Sequence, residues 1–395
     1  MTGAVNEAVI VDVVRTPSGR GKPGGALSAV HPVDLGAGVL RALLERNGLE
    51  SGQIDDVLFG CVSQVGEQSM NIARQVTLAA DFDEAVPATT IDRQCGSSQQ
   101  AVHFAAQGVI AGAYDIVIAG GVESMSRVPL GSSGRGALNA NGIRRRYPEG
   151  LVNQGVSAEL IAERWDLSRE ALDAYAAQSH ARAARAAETG AFDAQLIPVD
   201  TPDGLVFRDE TIRAGTTAES LAGLAPAFRD DALAERFPGL DWRITAGSSS
   251  PLTDGASAAL IMSAARAEQL GVTPRARFRG FAVVGDDPLM MLTAPIPATR
   301  RVLERTGLTI DDLDAYEVNE AFASVPLAWA AELGADPARL NPWGGAIALG
   351  HALGSSGTRL LGTLLTHLEA TGGRFGLQTM CEGGGMANAT VIERI

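Results

Sequence analysis

A chain of 395 residues, 46% apolar and 20% charged, is long enough for more than one hydrophobic core. Its 46 acidic and 32 basic residues leave a formal charge of -14, which argues against nucleic-acid binding as the main role but leaves room for a local basic pocket around a small phosphate ligand. The three cysteines, Cys61, Cys95 and Cys381, make a poor disulfide framework and fit a reducing cytoplasm; there is no signal-peptide pattern, no bilayer-length apolar run and no zinc-type histidine spacing.

Val9–Val14 reads as a buried strand closed by the turn-like TPSGRGKPGG. Apolar spacing predicts a helix over His31–Asn47, stopped by Gly48. Short strands are expected at Val57–Val62 and Ala88–Asp92, with a helix at Met70–Ala80 between them. Ser97–Ile110 reads as a helix, and Asp115–Ala119 as a buried strand ending in Gly120 and Gly121. This alternation predicts a sheet covered by helices on both faces. From about Ser124 to Thr245 the chain is more charged, holds the run Arg144–Arg146 and a helical piece at Ser168–Glu188, and reads as an inserted polar subdomain. The core pattern returns at Thr253–Ser263. The first order of elements then repeats: strand Ala276–Val284, helix Thr299–Thr306, strand Leu313–Val318, the approach Asn341–Gly357 to another helix, and strand Gly376–Glu382 before Gly383–Gly385. In two like halves, the helix starts after Cys95 and after His351 are pseudo-symmetric partners.

Four residues carry chemistry in this pattern. Cys95, in IDRQCGSSQQAV, lies between a strand and a helix start, where free N–H groups favour thiolate and Ser97 or Ser98 can cap the helix. A buried structural cysteine is the commoner fate of the residue type. His351 lies in the glycine-dense NPWGGAIALGHALGSSG; alternatively it is a helix-start histidine with a local hydrogen bond. Cys381, ahead of Glu382 and three glycines, suits an acid/base role beside backbone N–H groups, or is a small core residue at a strand end. Asn319, in VNEAFA, can orient a water or carbonyl; turn and cap roles are the plainer reading. All four fall at strand ends beside helix starts or glycine runs, the edge where open α/β sheets bind ligands. A thiol nucleophile with a histidine base is an acyl-transfer pairing.

CGSSQQA at Cys95, NEAFA at Asn319, GGAIALGH before His351 and CEGGG at Cys381 resemble, in order, the active-site blocks of the thiolases. ESMSR at Glu123, TAGSSSPLTDGAS at Thr245 and the terminal VIERI fit too, so the resemblance covers essentially the whole chain. It implies an α/β thiolase fold: two similar five-stranded mixed-sheet halves layered α/β/α/β/α. The N-terminal half spans residues 1–275, with an inserted CoA-binding loop subdomain at about 122–248, and the C-terminal half spans 276–395. It implies exchange of acyl groups with coenzyme A as substrate, no permanently bound cofactor or metal, and a homodimer or homotetramer. Cys95 would attack a 3-ketoacyl-CoA, His351 would activate Cys95 and then the CoA thiol, and Cys381 would protonate the departing carbanion. His351 and a water on Asn319 would form one oxyanion hole, and the N–H groups of Cys95 and Gly383 the other, each donor worth about 3–4 kcal/mol. Arg213 and Ser220 would meet the adenosine end of CoA, Phe228 the adenine, Ser250 the pantetheine arm, and Phe322 the tunnel wall.

The chain departs from that pattern at Ala352, where proline is usual, at Ser98, where glycine is usual, at Ser248, and at Asn153 and Gln154, which replace a histidine–methionine pair. With QVGEQSMNIARQ, these departures lean toward degradative members acting on long or bulky chains, including sterol side chains. The alternatives are an acetoacetyl-CoA-forming member, a ketoacyl synthase of the same fold, and a non-catalytic CoA-ester-binding protein on this scaffold.

Overall fold

The computed structural model describes residues 6–134 and 136–395; residues 1–5, where the N-terminal reading begins, and Arg135 lie outside them. Strand β1 (Ala8–Arg15) is buried at every position, as expected of a strand covered on both faces. β2 (Gly19–Arg20) is a two-residue spur on β8. β3 (Asp56–Gly60), β4 (Ala88–Ile91) and β5 (Ile116–Ser124) follow. β6 (Val199–Thr201) and β7 (Gly204–Val206) form a separate hairpin in the inserted region. β8 (Thr253–Ser263) closes the N-terminal ladder, ordered β4-β3-β5-β8-β1. β9 (Ala276–Gly285), β10 (Ala315–Val318), β11 (Phe375–Glu382) and β12 (Met386–Arg394) make the C-terminal ladder, ordered β10-β11-β12-β9.

The ladders join through Val9 opposite Arg277 and Ile10 opposite Ala276, so hydrogen bonding is continuous from β10 to β4. The N-terminal ladder has the five expected strands. The C-terminal one has four, and its fifth place is a single bridge from Tyr316 to Leu340. Pro337 and Pro342 flank that bridge and lack the N–H groups a longer edge strand needs.

Helices Pro32–Asn47 and Ile72–Ala79 cover the outer face of the N-terminal ladder, against Phe59 and Leu260. Helices Ser97–Ile110 and Ser356–Thr371 lie between the ladders, in a core with Ile10, Leu58, Val102, Leu361 and Ile392. Helices Pro295–Thr306 and Ser324–Leu333 cover the far side, around Trp329, Leu377 and Val391. The layers are therefore α/β/α/β/α, and each fully buried aliphatic side chain contributes about 1.5–3 kcal/mol.

Local signals set several boundaries as expected. Pro32 opens its helix, and Gly48 ends it in the left-handed region at φ 61. The Ser168 hydroxyl accepts the Ala171 N–H and starts the helix Arg169–Glu188. Other boundaries differ. β5 continues through Gly120 and Gly121 to Ser124, because those glycines admit the Phe59 ring and the Gly354 backbone rather than ending the strand. The helix read from Thr299 begins at Pro295. β12 and helix Ser324–Leu333 are elements the sequence pattern left undelineated; Gly384 and Gly385, at φ 87 and 79, make the hairpin from β11 to β12.

Candidate active site

After β4, Asp92 Oδ1 accepts the Gln94 N–H at 2.7 Å, and Gln94 sits in the left-handed region at φ 49. That costs a non-glycine residue about 1–2 kcal/mol. The Ser97 hydroxyl holds the turn, donating to Gln94 O at 2.6 Å and accepting from Arg93 N at 2.9 Å. Neither serine caps the helix: Gly96 is the N-cap, and the Ser98 hydroxyl accepts the Thr358 N–H across the core at 3.2 Å. Cys95 is carried on this turn, 2% exposed. Burial pushes its thiol up to about 12, and the Glu382 charge acts the same way. Hydrogen bonds from the backbone of Gly383 and from Gln154 pull in the other direction without winning. The helix start therefore does not deliver the thiolate expected from the sequence; desolvation outweighs it, and the resting group is a thiol.

His351 follows Gly350, whose φ is 81, and its N–H donates to Thr253 Oγ1 at 2.9 Å. The Ser356 hydroxyl gives its proton to Ala352 O at 2.8 Å, so its oxygen accepts from His351 Nδ1 at 2.7 Å. That fixes the hydrogen on Nδ1 and leaves the lone pair on Nε2, which faces Asn319 Nδ2 at 3.4 Å. Burial, reinforced by the Arg359 charge, lowers His351 to about 3, so the ring is neutral.

Asn319 follows β10, its backbone tied to Thr379 O at 3.1 Å and its buried Oδ1 without a partner among the described residues. Cys381 lies in β11 opposite Ala387. Its thiol is pushed well above its usual range, first by burial and then by Cys95 and Glu382. Cys95 thus lies with Cys381 and the Gly383 N–H, and His351 lies with Asn319, whose backbone is tied to Thr379, two residues before Cys381. Cys61 is buried too, its thiol raised first by desolvation and then by the Glu123 charge, which disfavours a reactive thiolate there.

Two devices hold the histidine loop in place. The first is a glycine crossing. A Cβ on Gly60 would stand 2.6 Å from Ser98 N and 2.7 Å from Gly354 O, and Gly121 meets the same Gly354 carbonyl. The second is a pair of buried carboxylates. Glu123 accepts from Val62 N, Ser63 N and Gly354 N, each at 3.0 Å, and from Gln68 Nε2 at 2.8 Å. Glu320 accepts from Tyr175 Oη at 2.9 Å, Ser179 Oγ at 2.7 Å, Asn341 Nδ2 at 2.9 Å and Ile347 N at 3.1 Å.

Of the residues expected to meet coenzyme A, Phe228 and Phe322 pack edge to face at 5.6 Å, and Ser250 N bonds Ala321 O at 3.0 Å beside them. Arg213 lies further along the inserted region, its N–H on His180 Nδ1 at 3.2 Å. The Ser220 hydroxyl is engaged in a capping box with Thr217, donating to its carbonyl at 2.7 Å. Ser248 turns inward, accepting from Thr245 N at 3.0 Å. Sequence reasoning missed Ser356, Thr253, Glu123 and Glu320 as supports of the site. The serine five residues beyond His351 was the legible signal, since the others act through tertiary contacts.

Among the described residues no group of three or more His, Cys, Asp or Glu could hold a metal ion, and no helix is long and apolar enough to cross a membrane. Residues 8–265 match the thiolase N-terminal domain and residues 272–394 the thiolase C-terminal domain. The chain is 47% identical to a steroid 3-ketoacyl-CoA thiolase of Mycobacterium tuberculosis, over all of this chain and 96% of that one. It is 44% identical to a 3-ketoacyl-CoA thiolase of Enterobacter sp., over 99% of this chain and all of that one. A crystal structure of the Bacillus anthracis acetyl-CoA acetyltransferase superposes with a TM-score of 0.89 at 36% identity, each chain wholly covered.

Proposed function

The chain belongs to the thiolase family, and from that premise we propose that it is a degradative 3-ketoacyl-CoA thiolase, cleaving 3-ketoacyl-CoA with CoA into acetyl-CoA and a shortened acyl-CoA. The observation that supports this reading is the pairing of Cys95 with Cys381 and the Gly383 N–H, beside a His351 whose Nε2 lone pair faces the Asn319 amide.

The Cys95 proton passes to His351 Nε2 as the sulfur bonds to C3 of the substrate. Burial raises the Cys95 thiol and lowers the His351 imidazole, which disfavours a resting ion pair and favours transfer that accompanies bond formation. The oxyanion on C3 lies against the N–H groups of Cys95 and Gly383. Its collapse restores the carbonyl and breaks C2–C3, and the electron pair becomes the enolate of acetyl-CoA. The enolate oxygen is met by His351 and by a water on Asn319, and the Cys381 thiol protonates C2. The imidazolium then returns its proton to the Cys381 thiolate. His351 next takes the proton of the incoming CoA thiol, whose sulfur attacks the acyl-Cys95 thioester. Cys95 leaves as thiolate and recovers that proton. Arg213, Ser220, Phe228, Ser250 and Phe322 hold the CoA moiety, which is a substrate and not a resident cofactor.

Two observations favour bulky acyl chains. Asn153 spends its side chain capping helix Gln154–Arg164, at 3.1 Å from Val156 N, and Gln154 reaches the nucleophile, so no histidine–methionine pair narrows the site. The 47%-identical relative is named for steroid substrates. A second reading, condensation of two acetyl-CoA, is favoured by the structural neighbour's name alone. Thiolysis rates over 3-ketoacyl-CoAs of rising length and bulk separate the two: activity confined to acetoacetyl-CoA would overturn the degradative assignment. β4 is an open edge flanked by exposed Met70, Leu78, Phe104 and Ile110, which supports a homodimer across that edge. The three unpaired cysteines suit a cytoplasmic setting.

A further inference from the structure

Gln154 opens the helix Gln154–Arg164, and the start of that helix is held from three sides. Asn153 Oδ1 accepts the Val156 N–H at 3.1 Å. The Phe228 ring lies against Gly155 and leaves no room for a Cβ there. In the next turn the Ser157 hydroxyl donates to Leu289 O at 2.8 Å, and Ala158 O accepts the Ser324 hydroxyl at 3.0 Å. The root of the Gln154 side chain is therefore fixed.

Its amide ends at the reacting sulfur. A Cβ on Gly383 would stand 3.0 Å from Gln94 Oε1 and 3.5 Å from Gln154 Nε2, so this glycine lies between two glutamines. Gln94 turns its own nitrogen to Asp92, at 3.3 and 3.4 Å from the two carboxylate oxygens. The Gly383 N–H, the Cys95 N–H and the Gln154 side chain are all hydrogen-bonded to the Cys95 sulfur. Each of these bonds favours the thiolate. During turnover the two backbone N–H groups are taken by the substrate oxyanion, which leaves the Gln154 amide as the donor to sulfur. The sulfur carries negative charge twice: as its proton leaves for His351, and as the C–S bond of the acyl thioester breaks and the electron pair returns to sulfur. An amide N–H donates to that charge without giving up its proton, so every proton still moves through His351. The methionine that Gln154 replaces has no N–H to offer.

We propose that Gln154 is a further catalytic residue of this chain, donating its Nε2–H to the Cys95 sulfur in both half-reactions. The proposal rests on the thiolase reading in taking Cys95 as the nucleophile.

The test uses the full-length protein with Gln154→Met, which removes the donor and keeps the side-chain length, and Gln154→Glu, which keeps the shape and puts an acceptor in its place. Alkylation of Cys95 by iodoacetamide, followed by mass spectrometry, reads the sulfur with no acyl-CoA present, so it tests Gln154 apart from the substrate assignment. At about pH 8 it should slow roughly three- to tenfold in Gln154→Met, because the lost donor lowers the thiolate fraction more than the rise in nucleophilicity offsets, and further in Gln154→Glu. In thiolysis Gln154→Met should lose about tenfold in kcat with the KM for CoA within about twofold of the parent, as expected of a contact made to the transition state. Alkylation of Gln154→Met at the parent's rate overturns the proposal. So does Gln154→Glu with the parent's rates, since shape alone would then suffice, or a loss of kcat that merely follows a fallen melting midpoint.

Discussion

Replacing Gly60 with alanine places one methyl group where the cysteine turn and the histidine loop touch. The added Cβ would stand 2.6 Å from Ser98 N and 2.7 Å from Gly354 O, and ordinary contact begins at 3.4 Å. Both neighbours are backbone, so neither can swing aside. Roughly 0.8 Å of separation has to be found between the helix start that carries Cys95 and the loop that carries His351. Overpacking of this kind costs about 1–3 kcal/mol of stability. The catalytic loss should be larger, since displacement near 1 Å in a reacting pair costs on the order of 100-fold in rate. The measurements are steady-state thiolysis, the urea midpoint, and the acyl label retained on Cys95 with a 3-ketoacyl-CoA. Gly285→Ala, whose Cβ meets nothing within 4 Å, is the control and should change none of them. A Gly60→Ala protein with kcat within twofold of the parent would refute the claim that this crossing sets the distance between nucleophile and base.

Cys95→Ala should abolish thiolysis and condensation with the fold intact, and mass spectrometry of the parent should find the acyl group on Cys95; label mainly on Cys381 or Cys61 contradicts the assignment. Cys381→Ser should still take up acyl label but turn over very slowly, because a hydroxyl is a far weaker acid than a thiol; near-normal turnover removes Cys381 from the reaction. Ala352→Pro should raise stability by about 0.4–1 kcal/mol, because Ala352 already has a φ of -69 and proline narrows the unfolded chain; a marked loss of stability and activity would contradict it. Glu317, raised from 4.5 to about 8 by burial, contributes stability that is present below pH 4.5 and is lost as pH climbs toward 8. Glu317→Gln should flatten that part of the stability profile, and an unchanged slope in urea titrations would show that Glu317 is already ionised in the native protein.

The layered fold was legible because strands such as Val9–Val14, broken only by Asp12, and Ala258–Met262 within Thr253–Ser263 are short apolar runs, and helices such as His31–Asn47 carry their own start and stop residues. β12 escaped notice because Asn388, Thr390 and Glu393 are polar yet buried, and their burial comes from the core they face, not from a local pattern. Cys95, His351, Asn319 and Cys381 stood out because rare residue types fell at strand ends. Their protonation states did not. A helix start suggested a thiolate at Cys95, but the neutral thiol follows from packing, and the His351 tautomer depends on where the Ser356 proton goes. The supports Glu123 and Glu320 looked like any acidic residue until the fold aimed four donors at each.

Gly354 leans on Gly60 and Gly121, and the Ser98 hydroxyl holds the Thr358 N–H, so the surface between the two matched domains runs directly under the reacting atoms. Cys95 belongs to the first domain, and its three partners belong to the second. Turnover is then a gauge of docking: at denaturant concentrations where each domain keeps its own helices and strands but the seam between them loosens, activity should vanish while circular dichroism is still unchanged. Two separately produced domains, each inert, should recover thiolysis on mixing only to the extent that they find that seam again.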